Sequence, residues 1–343
     1  MNIRDRQGLK SHAKEMLSCA SYPPRKLFGI HIAVSAGITL LISFLTYLLD
    51  QGIATTGGLD GIGTRSVLQT AQQLLETASS LALPFWQIGL VFVSLQLIRR
   101  QSAEPRSLLE GFRKLGPVLR MNILKTLILV GLALAGSYVS AFVLVLTPLS
   151  NGLVTLMDTI PETATEEELA LLMEDPAFLE QMVQAMLPMM IAMFVIILAL
   201  LIPFLYRLRM TDFVLMDNPT AGARAAIKTS WRMTKGNCLA LFRLDLSFWW
   251  FYILELLLSV LYLMDMYLPL DINPNLYFWL CSVGYAVGQV VLYAWANAQI
   301  QTTYAAAYEA LLEQERQKEA QRLAAAAAIT PWNIPPQPPQ QPE

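Results

Sequence analysis

The chain has 343 residues, of which 55% are hydrophobic and 15% charged, well short of the roughly 25% charge of soluble domains, so it is expected to reside in a membrane. A formal net charge of −2 excludes the basic balance that a nucleic-acid partner requires. Three scattered cysteines, Cys19, Cys238 and Cys281, and two histidines, His12 and His31, form no disulfide framework and no zinc spacing. No phosphate loop, nucleophile elbow or metal-ligand cluster is present, so no catalytic residues, cofactor or metal are expected.

In chain order, residues 1–26 read as an amphipathic segment. Leu9, Ala13, Met16, Leu17 and Ala20 recur at helical spacing, Arg4, Arg6, Lys10 and Lys14 take the other side, and Pro23-Pro24 ends the run. This helix is expected on the inner leaflet. Leu27 to Leu49 follows as the first membrane span; it is too long for a signal-peptide core and has no small-residue cleavage site after it. Ala54 to Gly63 is a glycine-rich loop matching no nucleotide fingerprint. Leu81 to Leu97 is the second span, and Ser107 with Glu110 makes a capping box for a two-turn helix that Gly116-Pro117 should stop.

Met121 to Thr147 is the third span. Beyond it Thr165 and Glu168 suggest a further capping box, and Asp175-Pro176 starts a helix that runs into the fourth span, Leu187 to Tyr206, with Pro188 and Pro203 as kink points. Asn218-Pro219 and Gly236 bracket a third basic helix. The fifth and sixth spans are Leu241 to Met264 and Leu276 to Ala298, each near the ~20 residues a membrane helix needs. Residues 313–343 read as a helical extension and a proline-rich tail, with the PPQPPQQP run extended and disordered.

Basic residues follow this pattern closely. Of the 24 Lys and Arg, only Arg65 falls in a loop assigned to the outside. Basic residues near helix ends stay cytoplasmic, so both termini are expected inside, and the chain to be an all-α, polytopic protein of six transmembrane helices: three hairpins with cytoplasmic amphipathic elbow helices.

In the third elbow Arg224, Lys228, Arg232 and Lys235 line one flank beside Ala223, Ile227, Trp231 and Thr234. The alternatives are an anionic-lipid or regulatory surface at the inner leaflet and a topological anchor that obeys the positive-inside rule. Glu255 is the exception in the apolar spans. A carboxyl in hydrocarbon normally faces the bundle or a wet cavity. Tyr252, Ser259 and Tyr262 share its stripe, and Tyr285 and Gln289, on the face carrying Gly284 and Gly288, are expected at its depth. The alternatives are a proton or ligand relay and a protonated glutamic acid holding two helices together. Asp245 is expected to pair structurally with Arg243 or the basic elbow.

The phrases AIKTSWRMTKGN at 226–237, LFRLDLSF at 241–248 and TTYAAAYEALL at 302–312 resemble an uncharacterised family of integral membrane proteins widespread in Firmicutes, a domain of unknown function. That resemblance implies a bacterial cytoplasmic-membrane protein and transfers no catalytic or binding residues. Two functions remain open: a non-enzymatic scaffold or accessory protein, with a membrane-protein partner or a second copy as its company, and a small transporter or channel with Glu255 in its pathway.

Overall fold

The computed structural model describes residues 2–55, 62–148, 151–158, 175–267 and 274–329. Among them there are helices and no strand. They are α1 (Arg6–Ser18), α2 (Pro24–Thr55), α3 (Ile62–Ile98), α4 (Glu110–Arg113), α5 (Leu115–Val145), α6 (Asn151–Asp158), α7 (Pro176–Leu208), α8 (Thr211–Asp217), α9 (Gly222–Thr234), α10 (Cys238–Leu246), α11 (Trp249–Tyr267) and α12 (Pro274–Ile329). The box at 165–168 and the tail 331–343 lie outside the described residues.

Four stretches, Pro24–Gly52, Leu115–Val145, Pro176–Asp217 and Trp279–Ala325, are long and apolar enough to cross a membrane. The apolar stretches Ala82–Ile98 and Trp249–Val260 are shorter. The expected fifth span is not one helix. The Asp245 backbone carbonyl accepts from the N–H of Phe248 at 2.8 Å, a turn that ends α10 before α11 begins at Trp249. A run of apolar residues does not register such a break, because hydropathy carries no information about local backbone turns.

The chain divides into two compact units, residues 1–118 with 210–343, and residues 119–209. In the second, Gly136 of α5 approaches Ile197 and Leu200 of α7, and Gly152 of α6 approaches Ala185. The start of α7 follows its local chemistry: Asp175 accepts from the N–H of Ala177 at 2.9 Å and Pro176 takes the first helical position.

The first unit is organised around α12, whose 56 residues extend about 84 Å at 1.5 Å per residue. It packs against α2, α3 and α11, and its later half against α1 and α9. There Ala305, Ala306, Ala307 and Ala310 are all but inaccessible. Small side chains on every side let neighbours approach the backbone. The apolar stripe of α1, Leu9, Ala13 and Met16, is buried too, so it meets protein where lipid was expected.

The second elbow also differs from expectation. Its first turn is a 3₁₀ helix at Pro105–Leu109 with Glu104 as N-cap, Ser107 standing three residues in and accepting from Glu104 N–H at 3.4 Å. Gly116-Pro117 opens α5 and stops nothing. Pro favours a helix's first turn, where its missing N–H costs no bond. The elbow lies hard against α3: a Cβ on Gly89 would strike the Leu108 backbone, and one on Gly111 the Phe85 carbonyl.

Candidate functional site

Glu255 is the seventh residue of α11, and its Oε1 accepts a 2.5 Å bond from the Tyr293 hydroxyl of α12. Leu258 against Gly288 and Tyr252 against Tyr304 continue the antiparallel register. Tyr293, two turns beyond Tyr285, is therefore the partner. Tyr285 and Gln289 are expected there because they and Glu255 lie at similar distances inward from the outer ends of their two spans, and such a count does not fix the register in which two helices pack. Ser259 donates to the Glu255 carbonyl at 2.9 Å. The Tyr262 side chain lies outside the described residues.

Tyr285 and Gln289 face a different space. With Ser35, Thr39 and Ser43 of α2, Ser259 of α11 and Ser282, they line a cavity of about 470 Å³. Three hydroxyls four residues apart put one face of α2 on that cavity. Gln289 and Ser282 are buried. At the same end Trp86 Nε1 donates to Ser35 Oγ at 2.9 Å and to the His31 carbonyl at 3.1 Å, and the two rings stack with centroids 4.9 Å apart.

Asp245 is buried and accepts a 2.8 Å bond from Tyr304, itself 3.2 Å from the Tyr252 hydroxyl. Tyr304 has one hydroxyl proton, and Asp245 receives it, so Tyr252 donates to Tyr304. This places Tyr252, Tyr304 and Asp245 in one chain that ties α10, α11 and α12 together. Arg243, expected beside Asp245, instead walls a surface pocket with Arg4 and Arg6. On α9, Arg224, Lys228, Arg232 and Lys235 are exposed and Trp231 is half-buried, while Ala226, Ile227, Ser230, Met233 and Thr234 form the buried face. Arg232 also reaches Glu315 at 3.4 Å.

Sequence reasoning missed the strongest polar junction. Arg99, just past α3, donates to Asp217 of α8 and to Glu309 of α12, each at 2.6 Å. Tyr308 donates to the other Asp217 oxygen at 2.9 Å and stacks on Phe213. The guanidinium is held above its already high ordinary value, chiefly by the bond to Asp217 and further by Glu309. A weak signal existed, since Tyr308 and Glu309 lie in the TTYAAAYEALL phrase. Nothing linear joins them to Arg99. Asn237 adds a 3.3 Å bond to Gln314. No cluster of metal-ligating side chains occurs among the described residues.

The chain belongs to the family described as "Protein of unknown function (DUF975)", whose model matches residues 1–315. No curated protein and no solved structure matches it.

Proposed function

We propose, for this member of a family of unknown function, an integral bacterial membrane protein that crosses six times as three hairpins, keeps both termini in the cytoplasm, and acts as a non-enzymatic scaffold or accessory protein. The near-exclusive placement of Lys and Arg on one set of loops supports the topology. α3 and α11 supply the second and fifth crossings through the shorter apolar stretches Ala82–Ile98 and Trp249–Val260. The observation that carries the scaffold reading is the engagement of Glu255 by Tyr293. The same holds for Asp245 with Tyr304, and for Asp217 and Glu309 with Arg99. Acidic groups that could move protons are spent on holding helices together. The exposed basic flank of α9 then rests on anionic lipid.

Proton flux into proteoliposomes under an imposed pH gradient tests this. Wild type and Glu255→Gln are expected to leak at the rate of empty vesicles. A flux that Glu255→Gln abolishes would replace the scaffold with a proton-coupled transporter.

One observation favours a second reading. The cavity beside Tyr285 and Gln289 is large enough for a small neutral solute, and its hydroxyls and amide supply hydrogen bonds inside an otherwise apolar bundle. A cysteine at Ser282 that a small water-soluble thiol reagent modifies supports that reading. Complete protection identifies the cavity as packing space.

A further inference from the structure

Arg4 and Arg6 precede or open α1, and Arg243 lies near the end of α10, yet the fold brings all three to one surface pocket, walled also by Gly236, Leu239 and Ala240. We propose that this pocket binds a phosphate group, as a phosphomonoester or phosphodiester. The inference rests on the membrane reading above and adds to it a defined site distinct from the α9 flank.

Three arginines line one pocket, and like charges gathered there are destabilising unless an anion joins them. No ion pair among the described residues involves Arg4, Arg6 or Arg243, although Arg99 has two and Arg100, Arg113 and Arg232 each have one. The acid closest in sequence is already in use: Asp5 accepts from the Gly8 N–H at 2.9 Å and caps α1. Of the two lysines on this side of α1, Lys10 is engaged elsewhere, donating to the Ser247 carbonyl at 2.8 Å and sitting 4.0 Å from the Phe248 ring centre. Its ammonium is pushed below its ordinary value, chiefly by burial and further by the positive charges of Arg6 and Lys14.

Arginine suits the ligand. A planar guanidinium offers paired N–H donors that match the oxygens of a phosphate, and a phosphomonoester's charge of about −2 can engage more than one arginine at once. The wall between α9 and α10 is shaped by Gly236, whose φ of +82° is a conformation L side chains rarely adopt. Leu239 is 60% exposed and, with Phe242 at 42% and Leu246 at 56%, forms an apolar strip along one face of α10 starting at the pocket. A phosphate with an acyl chain attached fits that arrangement, chain on the strip and phosphate among the arginines. A soluble phosphate lacks any use for the strip.

The test uses the full-length protein in neutral detergent and reads its thermal shift with dioctanoyl phosphatidic acid, dioctanoyl phosphatidylcholine or inorganic phosphate as probe. Phosphatidic acid is expected to raise the melting temperature more than phosphatidylcholine. Arg243→Gln, and separately Arg4→Gln, should weaken its apparent affinity about tenfold, while the double variant Arg224→Gln/Lys228→Gln keeps it. Arg4 stands outside α1, so its variant remains informative if Arg243→Gln fails to fold. Inorganic phosphate acting as strongly as phosphatidic acid would confirm the phosphate chemistry and assign a soluble source. Equal shifts in wild type and both arginine variants would overturn the site. Carbonate washing of membranes from the same cells separates the two failures: a chain that stays in the pellet keeps the membrane reading when the pocket falls, and a chain that is released loses both.

Discussion

Arg99 and Asp217 stand 118 positions apart in the chain, and their side chains meet at 2.6 Å. The contact joins the end of α3 to α8, and the second arm of the same guanidinium reaches Glu309 on α12. These side chains are each about one-third exposed, so the junction is partly screened. Its worth lies in three helices sharing one cation. Replacing Arg99 with Gln is expected to cost about 2 kcal/mol, the scale of a hydrogen bond to a charged group, because two carboxylates lose their partner together. A double-mutant cycle with Asp217→Asn, read by thermal unfolding in detergent, should give a coupling of about 1 kcal/mol or more; additive effects would show that the pair is geometric only.

Gly89 and Gly111 should tolerate no side chain. A Cβ at either position collides with backbone, of Leu108 in one case and Phe85 in the other, and backbone cannot swing aside as a side-chain tip can. Gly89→Ala and Gly111→Ala are each expected to destabilise by about 2 kcal/mol or more. Gly37→Ala and Gly131→Ala, where a Cβ meets nothing within 4 Å, should be neutral or slightly stabilising, since alanine favours helix. Matching melting temperatures across all four variants would contradict the close crossing of α3 and the second elbow.

Tyr293→Phe removes the only side-chain bond described for the Glu255 carboxyl. Interhelical hydrogen bonds between membrane helices contribute about 1 kcal/mol or less. The variant should therefore fold with a small loss of stability, and Glu255→Gln with less, because the amide oxygen still accepts from the Tyr293 hydroxyl. A larger loss from Glu255→Gln than from Tyr293→Phe would show that Glu255 has another role.

These junctions mark where linear reasoning ends. The start of α7 at Asp175-Pro176 and the turn at Gly236 were legible because capping, proline geometry and positive φ are decided within a few residues. The apolar stripe of α1 was equally legible, though not what would cover it. The break at Ser247-Phe248 was hidden inside a continuous apolar run. Counting inward from the outer loop put Tyr285 opposite Glu255, two helical turns from its partner Tyr293, because such a count does not fix the register of packed helices. Arg99, counted only as one more cation on the inner side, could not be linked to Asp217 and Glu309, because pairings across such separations are set by tertiary packing alone.

The most direct test of the account concerns the six crossings. In a background with Cys19, Cys238 and Cys281 replaced by serine, single cysteines at Thr55, Ser107, Ala164 and Asn275 are treated on intact cells with a membrane-impermeant maleimide. The account predicts labelling at Thr55, Ala164 and Asn275 and none at Ser107 until the cells are opened. Labelling of Ser107 from outside, or protection of Asn275, would contradict it, since either result would remove a crossing by α3 or α11.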